Sequence, residues 1–316
     1  MLTALRLVAR RLAAAVAMVL LVTFLSFLLV SLVPGDPARS VLGPVATQQQ
    51  VDELRRQLGL DEPLPLQYLT WLGHAVRGDL GVSLTTGTEV GQLLDARLAP
   101  TLSLIALATL TAAVVGVALG TVSAVRGGAL GRLVDVLSVV GLAVPGFWLA
   151  LLLISWFAVR WQIAPATGYT PLLESPGQWL RSLLLPVASA SLAAVTGVAK
   201  QTRDSMLDAL GRDFVRVMQA NGLSRRSIVY RHVLRNAAIP VLSLLGVIST
   251  SLLGATVLIE NIFGLPGLGS AAATAGLQHD LPVLQGVVVY VTLIVVAIGL
   301  CVDLCQTWLD PRLRSR

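Results

Sequence analysis

Few residues in this chain could do chemistry, and their spacing excludes more than it permits. Its three histidines, His74, His232 and His279, are scattered over 316 residues, so no HExxH-type metal pair exists. The single lysine, Lys200, precedes Gln201 and follows no glycine-rich loop, so it cannot act as a phosphate-cradling P-loop lysine. Cys301 and Cys305 share one apolar run and spell neither a zinc site nor a disulfide framework. Asp135, Glu260, Asp280 and Asp303 fall at the ends of apolar runs, where solvation at an interface accounts for them. No catalytic residue, metal ligand or cofactor is expected.

One stretch is both polar and strongly basic, residues 213–240. Asp213 can cap a short helix, because its carboxylate can accept orphan N–H groups of the first turn. Phe214, Val217 and Met218 then recur at helical spacing as one apolar stripe, with Arg216 beside it. Gly222 stands where a left-handed residue would end the helix. Ser224 can cap a second helix with Ile228, His232 and Asn236 on one side, running up to Pro240. Such a helix can present an apolar knob with a basic rim to a partner.

The elements that must hold this stretch are apolar. The chain is 55% hydrophobic and 13% charged, with mean hydropathy +0.79. A soluble domain carries roughly a quarter charged residues, so this is a membrane composition. The pI near 10.1 does not indicate nucleic acid, since the arginines bracket apolar runs instead of forming an aromatic-lined patch. Six runs are long enough to cross about 30 Å of hydrocarbon: 12–33, 98–125, 136–159, 182–199, 236–259 and 281–302. The first follows Arg6, Arg10 and Arg11 but is too long for a signal core and leads into Pro34-Gly35-Asp36-Pro37, so it is expected to be retained. With the N-terminus inside, sixteen basic residues fall on inner segments and seven on outer ones, which places both termini and residues 213–240 in the cytoplasm.

Residues 34–97 form the sizeable outer segment and read as a small helical cap. Thr47 and Gln50 make a capping-box pair; Val51, Leu54 and Leu58 give an apolar face, and Gly59 ends that helix. Pro63 and Pro65 predict an extended link, followed by a helix over 66–76 carrying Tyr68, Trp71 and Leu72. Val90, Leu93, Leu94 and Leu98 begin a helix leading into the second run. Within the runs, Gly116 and Gly120 allow close helix approach, Pro145-Gly146 predicts a bend, and Ala188 to Ala194 form a small-residue stretch.

The residues Asp213, Phe214, Val215, Arg216, then Gly222, Leu223, Ser224, then His232, Leu234, Arg235, Asn236, Ala237 and Pro240 resemble the cytoplasmic EAA loop of ABC-importer permeases. The form is that of the dipeptide/oligopeptide/nickel family, with departures at Val217, Met218 and Asn221. The outer segment and the terminal Asp310-Pro311-Arg312 are similar to the same family, so the resemblance covers essentially the whole chain. It implies an all-α polytopic membrane protein. Residues 1–316 would form a single transmembrane domain of six helices, with an extracytoplasmic helical insertion at 34–97 and a cytoplasmic coupling loop at 200–238. It implies a non-catalytic subunit that forms half of a peptide pathway in the plasma or inner membrane. The implied partners are a second permease, two ATPase subunits, a solute-binding protein and membrane lipid, with no nucleic acid. Import of nickel or another small solute, and a self-sufficient secondary carrier, are the alternative readings. The implied coupling residues are Asp213, Phe214, Arg216, Val217, Met218, Ala220, Asn221, Gly222, Leu223 and Ser224. Glu260 and Asn261 are the candidate contacts for substrate or binding protein.

Overall fold

The computed structural model describes residues 2–32, 36–43, 45–57 and 59–309. Val33, Pro34, Gly35, Leu58 and residues 310–316, on which expectations above rest, lie outside them. In chain order the helices are α1 (Leu2–Ser31), α2 (Pro37–Leu42), α3 (Gln48–Gln57), α4 (Leu64–Ala75), α5 (Val90–Thr111), α6 (Val117–Arg126) and α7 (Gly128–Ala143). There follow α8 (Gly146–Leu153), α9 (Pro176–Leu210), α10 (Asp213–Ala220), α11 (Arg225–Ser227), α12 (Leu234–Phe263), α13 (Leu268–Gln278) and α14 (Leu281–Leu309). Single π-helical stretches join α5 to α6, extend α8, and join α11 to α12. Among the described residues no strand forms beyond an isolated antiparallel bridge between Val82 and Glu89.

Four helical stretches are long and apolar enough to cross a membrane: Val90–Arg126, Pro176–Leu210, Arg225–Phe263 and Leu281–Trp308. A fifth arises if Gly131–Ala143 and Gly146–Arg160 count together. The described apolar part of the first run, Ala13–Leu29, falls short of that length. The expectation of one bent third span therefore changes, because its two pieces meet at 94°. Val144 (φ −76°, ψ 118°) and Pro145 (φ −65°, ψ 129°) are both extended. The proline ring drives its predecessor out of the α region, so the helix stops there instead of curving.

The chain divides into two compact units. The first comprises Met1–Ala99 and Pro266–Val296, the second Pro100–Leu265 and Ala297–Arg316. In the second unit, α9 is the axis around which α6, α7, α8 and α12 pack. Its 35 residues run about 52 Å at 1.5 Å each, well beyond the 182–199 stretch expected to span. Small side chains let neighbours approach: Ser189, Ala190, Ser191 and Ala194 are all buried. The expected glycine seam is real. A Cβ on Gly116 would lie 2.8 Å from the Val198 Cβ and 2.9 Å from the Val195 carbonyl oxygen. One on Gly120 would overlap the Ala199 carbonyl oxygen and sit 2.7 Å from the Thr202 Cβ. Asp135 of α7 accepts from Arg203 Nη1 of α9 at 3.1 Å, so it is paired across helices and not merely solvated.

The first unit carries the cap. The capping box forms: the Thr47 N–H donates to Gln50 Oε1 at 2.9 Å, and the Gln50 N–H donates to Thr47 Oγ1 at 3.4 Å. Gly59 follows at φ +66°. Only Pro63 is extended (φ −57°, ψ 136°); Pro65 sits inside the first turn of α4, where a missing N–H costs nothing. The helix expected at 66–76 consequently starts two residues earlier. Tyr68 of α4 is buried and donates its hydroxyl to the Leu20 carbonyl of α1 at 3.1 Å, its ring edge-on to Phe24 and Phe27. Gln285 of α14 donates to the Thr23 carbonyl at 2.7 Å. Asp280, 1% exposed, accepts from the Ser83 hydroxyl at 2.5 Å, the Thr85 hydroxyl at 2.9 Å and the Leu84 N–H at 3.2 Å. That carboxylate ties the 81–89 turn to the start of α14.

Candidate functional site

Helix α10 bridges two long helices of the second unit. Gly211 and Arg212 make the turn out of α9, with the Gly211 N–H donating to the Leu207 carbonyl at 3.1 Å. The N-cap position belongs to Arg212 (φ −78°, ψ 151°), and no side chain caps there. Asp213 thus lies one residue inside, as the first-turn acid, and not at the expected cap. Its carboxylate still favours the positive end of the helix. Its 3.5 Å pair with Arg216 is between groups 93% and 79% exposed and adds little to stability.

The far end closes as a Schellman motif. Gly222 has φ +76°; its N–H donates to the Gln219 carbonyl at 3.0 Å, and the Leu223 N–H donates to the Met218 carbonyl at 3.1 Å. A left-handed glycine was expected here, and the two bonds give its reason. Ser224 then caps α11 by accepting from the Ser227 N–H at 3.3 Å. The second helix does not stop at Pro240. It continues through the π turn into α12, so Arg225–Phe263 is one helical rod. Pro240 lies within α12, where its missing N–H leaves one ladder bond unmade without ending the helix.

The orientation of α10 differs from the expected stripe. Val215 is 3% exposed and joins a buried cluster with Met206, Ala209, Ile228, Val229 and Val233. Phe214 and Met218 pack onto the same cluster, half-buried. Val217 stands 59% exposed, with Asp213, Arg216, Ala220, Asn221, Leu223 and Ser224 also exposed. Phe214 and Met218 therefore root the helix, and Val217 is the outward apolar group. Val215 was the residue missed. It pairs with Met218 at i, i+3 as well as Val217 pairs with Phe214, so periodicity alone cannot choose between the two faces.

Glu260 and Asn261 lie near the end of α12. Glu260 is fully buried within the second unit and accepts from the Thr101 hydroxyl at 2.7 Å. Its carboxylate does not face solvent in this conformation. Asn261 is exposed and donates its amide to the Val257 carbonyl at 2.7 Å.

The sequence matches two family profiles. Residues 116–315 fit the binding-protein-dependent transport system inner membrane component, and residues 4–105 fit the N-terminal part of such membrane components. A probable peptide ABC transporter permease of Sinorhizobium fredii is 39% identical over 96% of this chain and 98% of its own length. A putative peptide transport system permease of Brucella abortus is 40% identical over 98% of each. The oligopeptide transport system permease protein AppB of Bacillus subtilis is 33% identical over 96% of this chain and 98% of its own. The fold is similar to a chain of the inward-facing MetNI methionine ABC transporter. The TM-score is 0.57 and the identity 16%, over 69% of this chain and 97% of that one. With helices of this length, an exposed α10 rooted between two of them, and matches along nearly its whole length, the chain belongs to the family of binding-protein-dependent transport system inner membrane components, the permeases of ABC importers.

Proposed function

We propose that this permease forms half of the pathway of an ATP-driven peptide importer, delivering no chemistry of its own. The names of its relatives support peptide over nickel or another small solute. ATP hydrolysis belongs to two separate ATPase subunits, and a second permease completes the pathway. An extracytoplasmic binding protein presents the solute to the outer side, where Asn261 is the accessible candidate contact. Glu260 can reach solute only after α12 moves. Six spans follow if α1 crosses the membrane and the α7–α8 pair counts as one. Both termini then face the cytoplasm, in line with the basic asymmetry.

The observation that carries this reading is the mounting of α10. It is short, exposed on one side, and fixed at both ends to rods that run into the apolar region. An isolated eight-residue helix is unstable, so its rigidity comes from Val215 and the closure at Gly222. A partner cleft gripping Val217 and the exposed polar rim would move α9 and α12 together. Rigid-body displacement of those rods would open one side of the pathway and close the other.

Co-purification of the ATPase subunits, with peptide uptake measured alongside, tests it. Val217→Asp and Gly222→Asp are expected to lose both while the permease still inserts. Uptake that persists with a P-loop-lysine-inactivated ATPase would instead establish a self-sufficient carrier. Orientation is read separately: a cysteine at Gln49 should react with an impermeant reagent from outside, and one at Arg225 only after permeabilisation.

A further inference from the structure

The first unit contains a cavity of about 420 Å3, within the roughly 300–1,000 Å3 range of small-molecule sites. Phe27 and Ser31 of α1, Trp71 of α4, and Leu281 and Pro282 of α14 supply much of its wall. The lining is mainly apolar, with one feature that selects an occupant. The charged lining groups are the carboxylates of Glu62 and Asp79, with no Lys or Arg among the lining residues. Asp79 is already engaged: it accepts from the Gly81 N–H at 2.9 Å and lies 3.2 Å from His74 Nδ1. Those two contacts, the Gly81 N–H first, hold its carboxyl below the usual range, so it stays negative. Glu62 is exposed. An anionic head would be repelled here and an ammonium attracted.

The route of entry follows from α1. Beside Phe27 and Ser31, Leu25, Leu28, Leu29 and Leu32 are exposed, at 45%, 38%, 64% and 70%. In a spanning α1 these side chains face lipid, so the cavity adjoins the edge of the bilayer. We propose that it holds an acyl chain of a phospholipid with an ammonium head, of the phosphatidylethanolamine class. Glu62 faces the ammonium. The lipid thereby fastens the cap to the membrane surface. This inference rests on α1 crossing the membrane, as the transport reading also requires.

The test uses the intact transporter in nanodiscs of equal phosphatidylethanolamine and phosphatidylglycerol, with a trace of either lipid carrying a diazirine in its acyl chain. Mapping the photolabel is expected to place the phosphatidylethanolamine probe on peptides containing Phe27 and Trp71, above the phosphatidylglycerol probe. Thr70→Trp fills the cavity from an exposed position and should lower that label about tenfold, equivalent to about 1.4 kcal/mol. Glu62→Gln should bring the two probes towards equal labelling. Undiminished label in Thr70→Trp, equal labelling by both probes in the unaltered protein, or displacement by a free-amine peptide would each overturn the lipid assignment. Label on Leu25 and Leu29 but not in the cavity overturns this proposal alone; label on neither overturns the span as well. Peptide uptake, measured on the same samples, decides the transport reading independently: cavity label without uptake supports the lipid site and removes the transport role.

Discussion

Two regions are fastened by opposite means. The α6–α9 seam is held by what is missing: Gly116 and Gly120 let the α6 backbone lie directly on α9. The 81–89 turn is held by what is present, the buried Asp280 carboxylate and the donors of Ser83, Leu84 and Thr85 around it. The first fastening is close-packed and sums many weak contacts over both helices. The second concentrates its strength in one charged acceptor, which is specific but fails as a unit if that group is lost. A seam of the first kind tolerates no added volume. A clasp of the second kind tolerates volume around it but not a change of charge.

The largest effect should come from adding volume to the seam. Gly120→Val meets the Ala199 carbonyl and Thr202, and backbone cannot step aside as a side-chain tip can. A loss of about 3 kcal/mol, at the top of the range for overpacked interiors, is expected in thermal unfolding of the purified permease. Gly254→Ala in α12 has nothing within 4 Å and should be neutral or mildly stabilising. If the two substitutions behave alike, the seam is not close-packed.

Next is the clasp. Asp280→Ala leaves two hydroxyls and the Leu84 N–H without their acceptor and should cost about 2 kcal/mol. Hydrogen exchange at residues 83–85, and at Val283 in the first turn of α14, should accelerate while the rest of α14 stays protected. Asp280→Asn keeps an acceptor oxygen and should fall between the two. Unchanged exchange in Asp280→Ala would mean that the turn holds itself.

In α10, the proposed coupling element, rooting and docking fall to different residues. Phe214→Ala removes half-buried surface and should cost about 1 kcal/mol of permease stability. Val217→Ala should leave stability within roughly 0.5 kcal/mol, yet weaken ATPase recovery in pull-down. A reversed pattern would put the docking face on the Phe214 side after all. The smallest effect is on the cap: Thr47→Ala removes an exposed capping box and should cost about 0.5–1 kcal/mol, seen as faster exchange in the first turn of α3.

Much of this architecture was legible in the chain. The apolar runs of α5–α6, α9, α12 and α14, the capping pair Thr47–Gln50, the left-handed Gly222 and the Gly116–Gly120 spacing each act through local geometry, and local geometry is written in adjacent residues. Other features were not legible, because they depend on partners far apart in sequence. Asp280 read as an interfacial acid until folding brought residues 83–85 to it, nearly two hundred positions away. Glu260 read as a solvated acid at the end of an apolar run, whereas Thr101 and the surrounding helices enclose it. Periodicity gave α10 two equally apolar faces, and only the cluster of Met206, Ile228 and Val233 decided that Val215 turns inward and Val217 outward. Likewise Pro145 announced a bend, but its size, 94°, was set by two consecutive extended residues that a kinked helix would not contain. Sequence by itself determined the membrane class, most of the helical elements and the place of the short polar helix between α9 and α12, since hydrophobic burial and capping need only composition and short spacing. Tertiary structure alone decided which face of each helix is free, because that is a competition between surfaces whose outcome depends on what packs against them.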